Sequence, residues 1–230
     1  MASYDVALQR REEIAEGTFA FYFEKPAGFA FKAGQSVSLA LREPPSVPNS
    51  TRRTFSIVSA PFEPDLAVAT RLREASAFKQ ALKTLPVGAT VRLTGPLGKM
   101  TLHEDNTRAA VFIAGGIGIT PFISMLRQAI HDRLRRPLLL LYSNRRPENA
   151  AFLAELQALA RQHENFRLHA RMTASEGRIN EEAIRNFVSE ATAPIYYLAG
   201  PPTFVEATTE TLTRLGVTSD ALHSEMFYGY

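Results

Sequence analysis

The stretch Val111-Phe112-Ile113-Ala114-Gly115-Gly116-Ile117-Gly118-Ile119-Thr120-Pro121 constrains this chain most. An apolar run, Ala110–Ala114, passes into glycines. Apolar residues at helical spacing then follow at Phe122, Met125, Leu126, Ala129 and Ile130. The pattern reads as a buried strand, a glycine turn and a helix over 122–131. Glycines let the backbone turn tightly and let a pyrophosphate approach, and a helix N-terminus offers free N–H groups and the positive end of its dipole. Pro121 suits the first helical turn, where its missing N–H costs nothing. A glycine turn without a ligand is the alternative; strand, Thr-Pro and helix in succession favour a phosphate. The same region holds 18 residues without a charge, Ala109 to Leu126. Length alone admits a membrane span, but the glycines and proline would break it near its middle.

The chain around this segment divides in two. Tyr4–Gln9, Thr18–Phe23, Ser36–Leu41, Arg53–Ser59, Leu66–Arg71 and Val91–Thr94 are short, alternating, β-rich runs separated by Gly, Pro and Ser/Asn. With one helix, Ala77–Leu85, they predict a small six-stranded antiparallel barrel. The second half alternates: strands at Ala110–Ala114, Pro137–Tyr142, Phe166–Arg171, Ile195–Ala199 and Ala221–Phe227, helices at Phe122–His131, Glu148–Arg161, Asn180–Val188 and Thr203–Leu215. This predicts a parallel sheet covered by helices on both faces, a Rossmann-like domain. The expected domains are residues 1–103 and 104–230.

Composition excludes several classes. With no cysteine, the chain holds no disulfide, no thiolate nucleophile and no cysteine-ligated iron–sulfur cluster. The histidines His103, His131, His163, His169 and His223 share no metal-binding spacing, so no metal is expected. Net charge is +3 and the 21 arginines are dispersed, which argues against a nucleic-acid stripe. Met1 to Arg11 is polar, without the apolar core of a secretory signal. The expectation is a cytoplasmic monomer that binds neither nucleic acid nor membrane.

The second chemical signal is Arg53-Thr54-Phe55-Ser56, opening a barrel strand. Arginine holds phosphate by a fork of donors, an aromatic ring packs on a flat ring, and serine bonds a ring nitrogen. Alone the tetrad also fits an ordinary strand alternating out and in. Taken in order, Arg-x-aromatic-Ser, Gly95-Pro96-Leu97-Gly98, the Gly115–Pro121 turn and Ala199-Gly200-Pro201-Pro202 resemble the ferredoxin–NADP reductase family across essentially the whole chain.

The resemblance implies a Greek-key barrel that binds FAD and an α/β domain that binds the nicotinamide nucleotide. It implies Arg53 and Thr54 at the flavin nucleotide, with Phe55 beside the isoalloxazine and Ser56 near its N5. Thr70-Arg71-Leu72 and Ser76-Ala77-Phe78-Lys79 stand at the family's second phosphate-binding stretch. Gly115, Gly116, Gly118, Ile119, Thr120 and Pro121, with Gly200, Pro201 and Pro202, form the nicotinamide-nucleotide turns. Glu225 is expected beside the hydride path, and Tyr228 or Tyr230 over the flavin face. Two residues depart from the pattern. Phe55 replaces a tyrosine, so stacking survives but a phenol hydrogen bond does not. Ala199 replaces a cysteine near the reacting nicotinamide carbon.

For the nucleotide, Ser143, Arg145 and Arg146 at one strand end and Arg171 at the next favour a 2′-phosphate, and no acidic residue closely follows Tyr142 to grip a ribose hydroxyl. NADP is therefore expected, with NAD possible. The expected activity is hydride transfer from NAD(P)H to FAD, then single electrons to ferredoxin or flavodoxin. A reductase serving an oxygenase component, free flavin or quinone is one alternative. A non-catalytic flavin or nucleotide sensor is another.

Overall fold

The computed structural model describes residues 2–41 and 52–228. In the first half, β1 (Ala2–Ala15), β2 (Thr18–Glu24), β3 (Ser36–Leu41), β4 (Arg52–Ser56), β5 (Asp65–Arg71) and β6 (Thr90–Leu97) pair antiparallel in the order β4-β3-β6-β1-β2-β5. The outer strands meet through an antiparallel bridge between Ile57 and Val68, which brings the sheet's two ends together as a barrel. Inward residues such as Phe21, Phe23, Leu39, Ile57, Val91 and Leu93 are fully buried. Burying each such side chain contributes about 1.5–3 kcal/mol before entropy is counted. Helix α1 (Ala77–Thr84) plugs the barrel with Phe78 and Leu82 and is capped by Ser76, whose Oγ accepts from the Lys79 N–H. Strand β1 runs past Gln9 because its pairing with β2 continues from Arg10 to Ala15 through register shifts. Its exposed charges in that stretch break the alternation that sequence reading relies on.

The second half is a five-stranded parallel sheet in the order β11-β10-β7-β8-β9. Its strands are β7 (Ala110–Gly115), β8 (Leu138–Asn144), β9 (Phe166–Met172), β10 (Ile195–Gly200) and β11 (Leu222–Met226). Strands β7, β8 and β10 are buried along their whole length, as strands covered on both faces must be. Helices α2 (Ile119–His131), α3 (Leu153–Gln162), α4 (Thr173–Glu176), α5 (Glu181–Phe187) and α6 (Pro202–Arg214) connect them. Helix α2 begins three residues earlier than the periodicity suggests, so Pro121 lies in its first turn. The helix expected from Glu148 begins only at Leu153. Phe152 is left-handed, with φ 61°, and its ring is buried, so the chain turns there instead of continuing one helix. The uncharged stretch 109–126 is divided among β7, a 3-10 turn and α2. No helix among the described residues is long and apolar enough to cross a membrane.

The halves meet over α2. Ser124 donates to the Ser59 carbonyl at 2.7 Å. Arg127 donates to both Glu155 oxygens at 2.7 and 2.8 Å, pairs with Glu63 at 3.4 Å and reaches the Val58 carbonyl at 3.3 Å. Across the joint Arg146 and Asn149 both donate to Glu16, at 2.8 and 2.7 Å.

Candidate functional site

Two adjoining cavities lie where the barrel faces the C-terminal ends of β7, β8 and β10. The larger, about 570 Å³, is lined by Arg53, Thr54, Phe55 and Ser56 of β4, by Thr70, Arg73, Ser76 and Lys79, and by Ile117, Thr120, Glu225 and Tyr228 from the other half. The smaller, about 320 Å³, is lined by Arg71, Gly115, Gly116, Ser143, Arg145, Pro201 and Phe204, among others. Arg73 and Ile117 belong to both, so the cavities are contiguous.

The first cavity is cationic at one end. Lys79 Nζ donates to the Arg71 carbonyl at 3.0 Å, and the Arg53 guanidinium lies 6.0 Å from the Phe78 ring. Burial, then the charges of Arg73 and Arg53, hold the Lys79 ammonium pKa below its ordinary value. Three basic groups thus converge beside the N-terminus of α1, where an anion relieves their mutual repulsion. The diphosphate of a flavin dinucleotide fits this donor set. Phe55 is buried against Phe78 with ring centroids 6.0 Å apart, and it lines the cavity beside the buried Ser56.

Leu72, Ala77 and Phe78, expected at a phosphate, stand back from the cavity. Phe78 is fully buried in the barrel core, and Leu72 donates its N–H to the Gly17 carbonyl at 2.8 Å.

At the opposite end, parallel pairing sets Glu225 directly across from Ala199. Glu225 Oε2 is sealed from solvent and has no hydrogen-bond partner among the described residues. Burial raises its carboxyl pKa above the usual range. Glu225 thus lines the same cavity as Ser56. Tyr228 lies at the mouth, 79% exposed, with its hydroxyl 3.6 Å from the Met226 sulfur. Tyr230 lies outside the described residues.

Two glycines of the turn divide their work. Gly116 has φ +55° with open space where a Cβ would stand, so its need is conformational. At Gly118 a Cβ would fall 2.1 Å from the Ala199 carbonyl oxygen. Gly118 therefore lets α2 start hard against β10 and does not line either cavity. Ile119 and Pro121 are likewise buried packing residues. Thr120 lines the first cavity and donates from Oγ1 to the Ile117 carbonyl at 3.0 Å. Gly200 and Pro202 shape the second turn from behind, while Pro201 lines the second cavity.

At the expected nucleotide end, Ser143 and Arg145 line the second cavity and Arg171 does not. Arg171 instead donates to the carbonyls of Gly177, at 2.9 Å, and Glu176. The segment after β9 folds back within its reach and engages Nε and Nη2.

Sequence reading missed Arg73, which lies beyond the end of β5 and so follows no strand alternation. The charge spacing Arg71-Leu72-Arg73 was its only signal. It also missed Thr18, Asn149 and Thr173 on the second cavity, which come from three separate elements.

Comparison with known proteins agrees with this geometry. Residues 112–210 match the family model described as the oxidoreductase NAD-binding domain. The chain is 33% identical over 177 residues to the ferredoxin–NADP reductase B of Sorangium cellulosum, an alignment covering 76% of this chain and 70% of that protein. It is 29% identical over 242 residues to a flavohemoprotein of Chromobacterium violaceum, covering 96% of this chain and 59% of that longer protein. Among solved structures, a ferredoxin NADP+ reductase from Neisseria gonorrhoeae with bound FAD and NADP superposes with a TM-score of 0.83 at 21% identity. That match covers 97% of this chain and 98% of the other. Barrel, parallel sheet, glycine turn and sequence relationship agree: this chain belongs to the ferredoxin–NADP reductase family.

Proposed function

We propose that this protein is an FAD-dependent oxidoreductase that takes a hydride from NADPH and passes electrons singly to a separate carrier, ferredoxin or flavodoxin. The observation that carries the reading is the contiguity of the two cavities. A cationic cavity beside Arg53, Arg73 and Lys79 opens, at Ile117, onto a cavity under the Gly115–Gly116 turn. These linings would hold two dinucleotides in adjoining cavities. Bound FAD supplies the chemistry that no side chain here has: accepting a hydride and releasing electrons one at a time.

The protein supplies binding, orientation and electrostatics. Arg53, Lys79 and Arg73 hold the flavin diphosphate, with Thr70 and Ser76 beside them. Ser56 and Glu225 line the reacting end, Glu225 with its carboxyl pKa raised by burial. Gly115, Gly116 and Pro201 admit the second diphosphate. Ser143 and Arg145 favour the 2′-phosphate of NADPH over the bare ribose of NADH. Tyr228, at the mouth of the first cavity, would move aside to admit nicotinamide. The chain works as a cytoplasmic monomer, with residues 1–103 carrying the flavin and 104–230 the nicotinamide nucleotide. Its basic excess suits brief docking to an acidic carrier.

One spectrum tests the cofactors. The purified protein should be yellow, or become so with added FAD, and should bleach with NADPH faster than with NADH. A colourless protein that takes up no FAD overturns the reading. Bleaching followed by reduction of ferredoxin or flavodoxin supports the carrier. Reduction only of an oxygenase component, free FMN or quinone moves the chain to that role, and binding without bleaching makes it a sensor.

A further inference from the structure

Arg145 and Arg146 follow β8 side by side, yet only Arg145 lines the second cavity. What separates them comes from the other half of the molecule. Glu16, in the turn between β1 and β2, reaches the segment after β8 at three points. Its backbone N–H donates to the Glu148 carbonyl at 2.8 Å. Its Oε2 accepts from Arg146 Nη2 at 2.8 Å and from Asn149 Nδ2 at 2.7 Å. Glu148 adds a second carboxylate, 4.0 Å from Arg146 Nε.

The turn that carries Glu16 is itself pinned. Gly17, at φ +64°, closes it, donates its N–H to Glu13 Oε1 at 3.0 Å and accepts the Leu72 N–H at 2.8 Å. Thr18, the next residue, is 3% exposed and lines the second cavity. The segment is also held from α4, where the Ala174 N–H donates to the Arg145 carbonyl at 3.1 Å.

An exposed ion pair contributes little stability by itself, and the Glu16 side chain is 58% exposed. The effect of this clip is on position. The backbone at Arg146 is extended, with φ −143° and ψ 162°, so neighbouring side chains leave on opposite faces. Holding Arg146 toward Glu16 therefore sets where Arg145 stands. Asn149 lines the cavity too, and its amide is oriented by the same carboxylate.

We propose that Glu16 is a positioning residue for nucleotide discrimination. By holding Arg146 and Asn149 it keeps Arg145 on the second cavity and withholds Arg146 from it. This role rests on the reading of that cavity as the nicotinamide-nucleotide site, with Arg145 at the 2′-phosphate.

The test is calorimetric titration of the full-length, flavin-loaded protein with NADP+ and with NAD+. Glu16→Ala should weaken NADP+ about fivefold and NAD+ by less than about twofold, so that the two affinities draw together. In turnover the loss should appear in KM for NADPH rather than in kcat. Glu16→Gln keeps an acceptor for Asn149 but loses the charge facing Arg146, and should lie between Glu16→Ala and the wild type. The backbone bond to Glu148 survives both substitutions, so the segment stays docked and both variants should fold. Arg146→Met should cost less than Glu16→Ala, because Glu16 still holds Asn149. Equal loss with both nucleotides makes Glu16 a structural residue only and overturns the proposal. Tighter NADP+ binding in Glu16→Ala shows a merely repelling charge and overturns it as well. A larger loss in Arg146→Met shows that Arg146 itself reads the phosphate, with the same consequence. A wild-type protein that binds NADP+ no more tightly than NAD+ removes the nucleotide reading and this role together, whereas an unchanged Glu16→Ala removes this role alone.

Discussion

Gly118→Ala is the substitution whose consequence the geometry defines most sharply. A Cβ at Gly118 would lie 2.1 Å from the Ala199 oxygen, 2.4 Å from its carbonyl carbon and 2.7 Å from the Gly200 nitrogen. All three atoms are backbone of β10, which is buried throughout, so no side chain can swing aside. Either α2 retreats from the sheet or the β10 turn yields, and both leave gaps in a packed interior. Overpacking of this kind costs about 1–3 kcal/mol, and a backbone obstacle belongs at the top of that range. Gly116→Ala is the internal control. Its Cβ meets nothing within 4 Å, and its penalty comes only from φ +55°, about 1–2 kcal/mol. For a chain of this size each kcal/mol shifts the melting temperature by about 3 °C. Thermal melting followed by circular dichroism should therefore fall about 9 °C for Gly118→Ala and about 3–6 °C for Gly116→Ala. NADPH affinity should drop in both variants. If Gly118→Ala melts at or above Gly116→Ala, the packing role assigned to Gly118 is wrong.

The remaining expectations concern charge. Lys79→Met should weaken FAD binding about tenfold or more by fluorescence titration, and an unchanged affinity would remove Lys79 from the diphosphate site. Arg145→Ala should raise KM for NADPH about tenfold with little change for NADH; parallel loss with both nucleotides would show that Arg145 does not read the 2′-phosphate. Arg127, 17% exposed, joins both halves through Glu155 and Glu63. Arg127→Met should cost about 2–3 kcal/mol in urea unfolding, and a neutral result would make the joint independent of these bonds. Glu225 is harder to ionise in the folded protein than in the unfolded chain, whose ordinary value is 4.5. Its contribution is full below that pH and is lost as pH rises through the higher folded value. Glu225→Gln should accordingly raise the melting temperature near neutral pH, with the gain vanishing below pH 4.5. A gain that persists in acid would contradict burial as the cause.

Much of the site was legible locally. Arg53-Thr54-Phe55-Ser56 and the Gly115–Pro121 turn are short motifs whose chemistry depends on adjacent backbone, and both stand at the cavities. Residues expected by position in a motif fared less evenly. Phe78 and Leu72 sit within the stretch expected to bind phosphate, yet helix periodicity turns Phe78 inward to plug the barrel. Arg171 stands at a strand end as a 2′-phosphate ligand should, but it turns two donors to the Glu176 and Gly177 carbonyls and does not line the second cavity. No sequence spacing foretells where a loop folds back.

The amino-acid sequence by itself determined the two halves, the order of strands and helices, the glycine turn and the absence of any thiol. These follow from periodicity, backbone freedom and composition, which act over a few residues. Only the tertiary structure decided that Arg73 joins Arg53 and Lys79, that Glu225 lies across from Ala199, and that Gly118 serves packing. It alone also set Glu16 against Arg146 and Asn149 across the joint. Those juxtapositions depend on how two separately patterned sheets pack across α2, and the free energy of that packing is spread over the whole interface and written in no single motif.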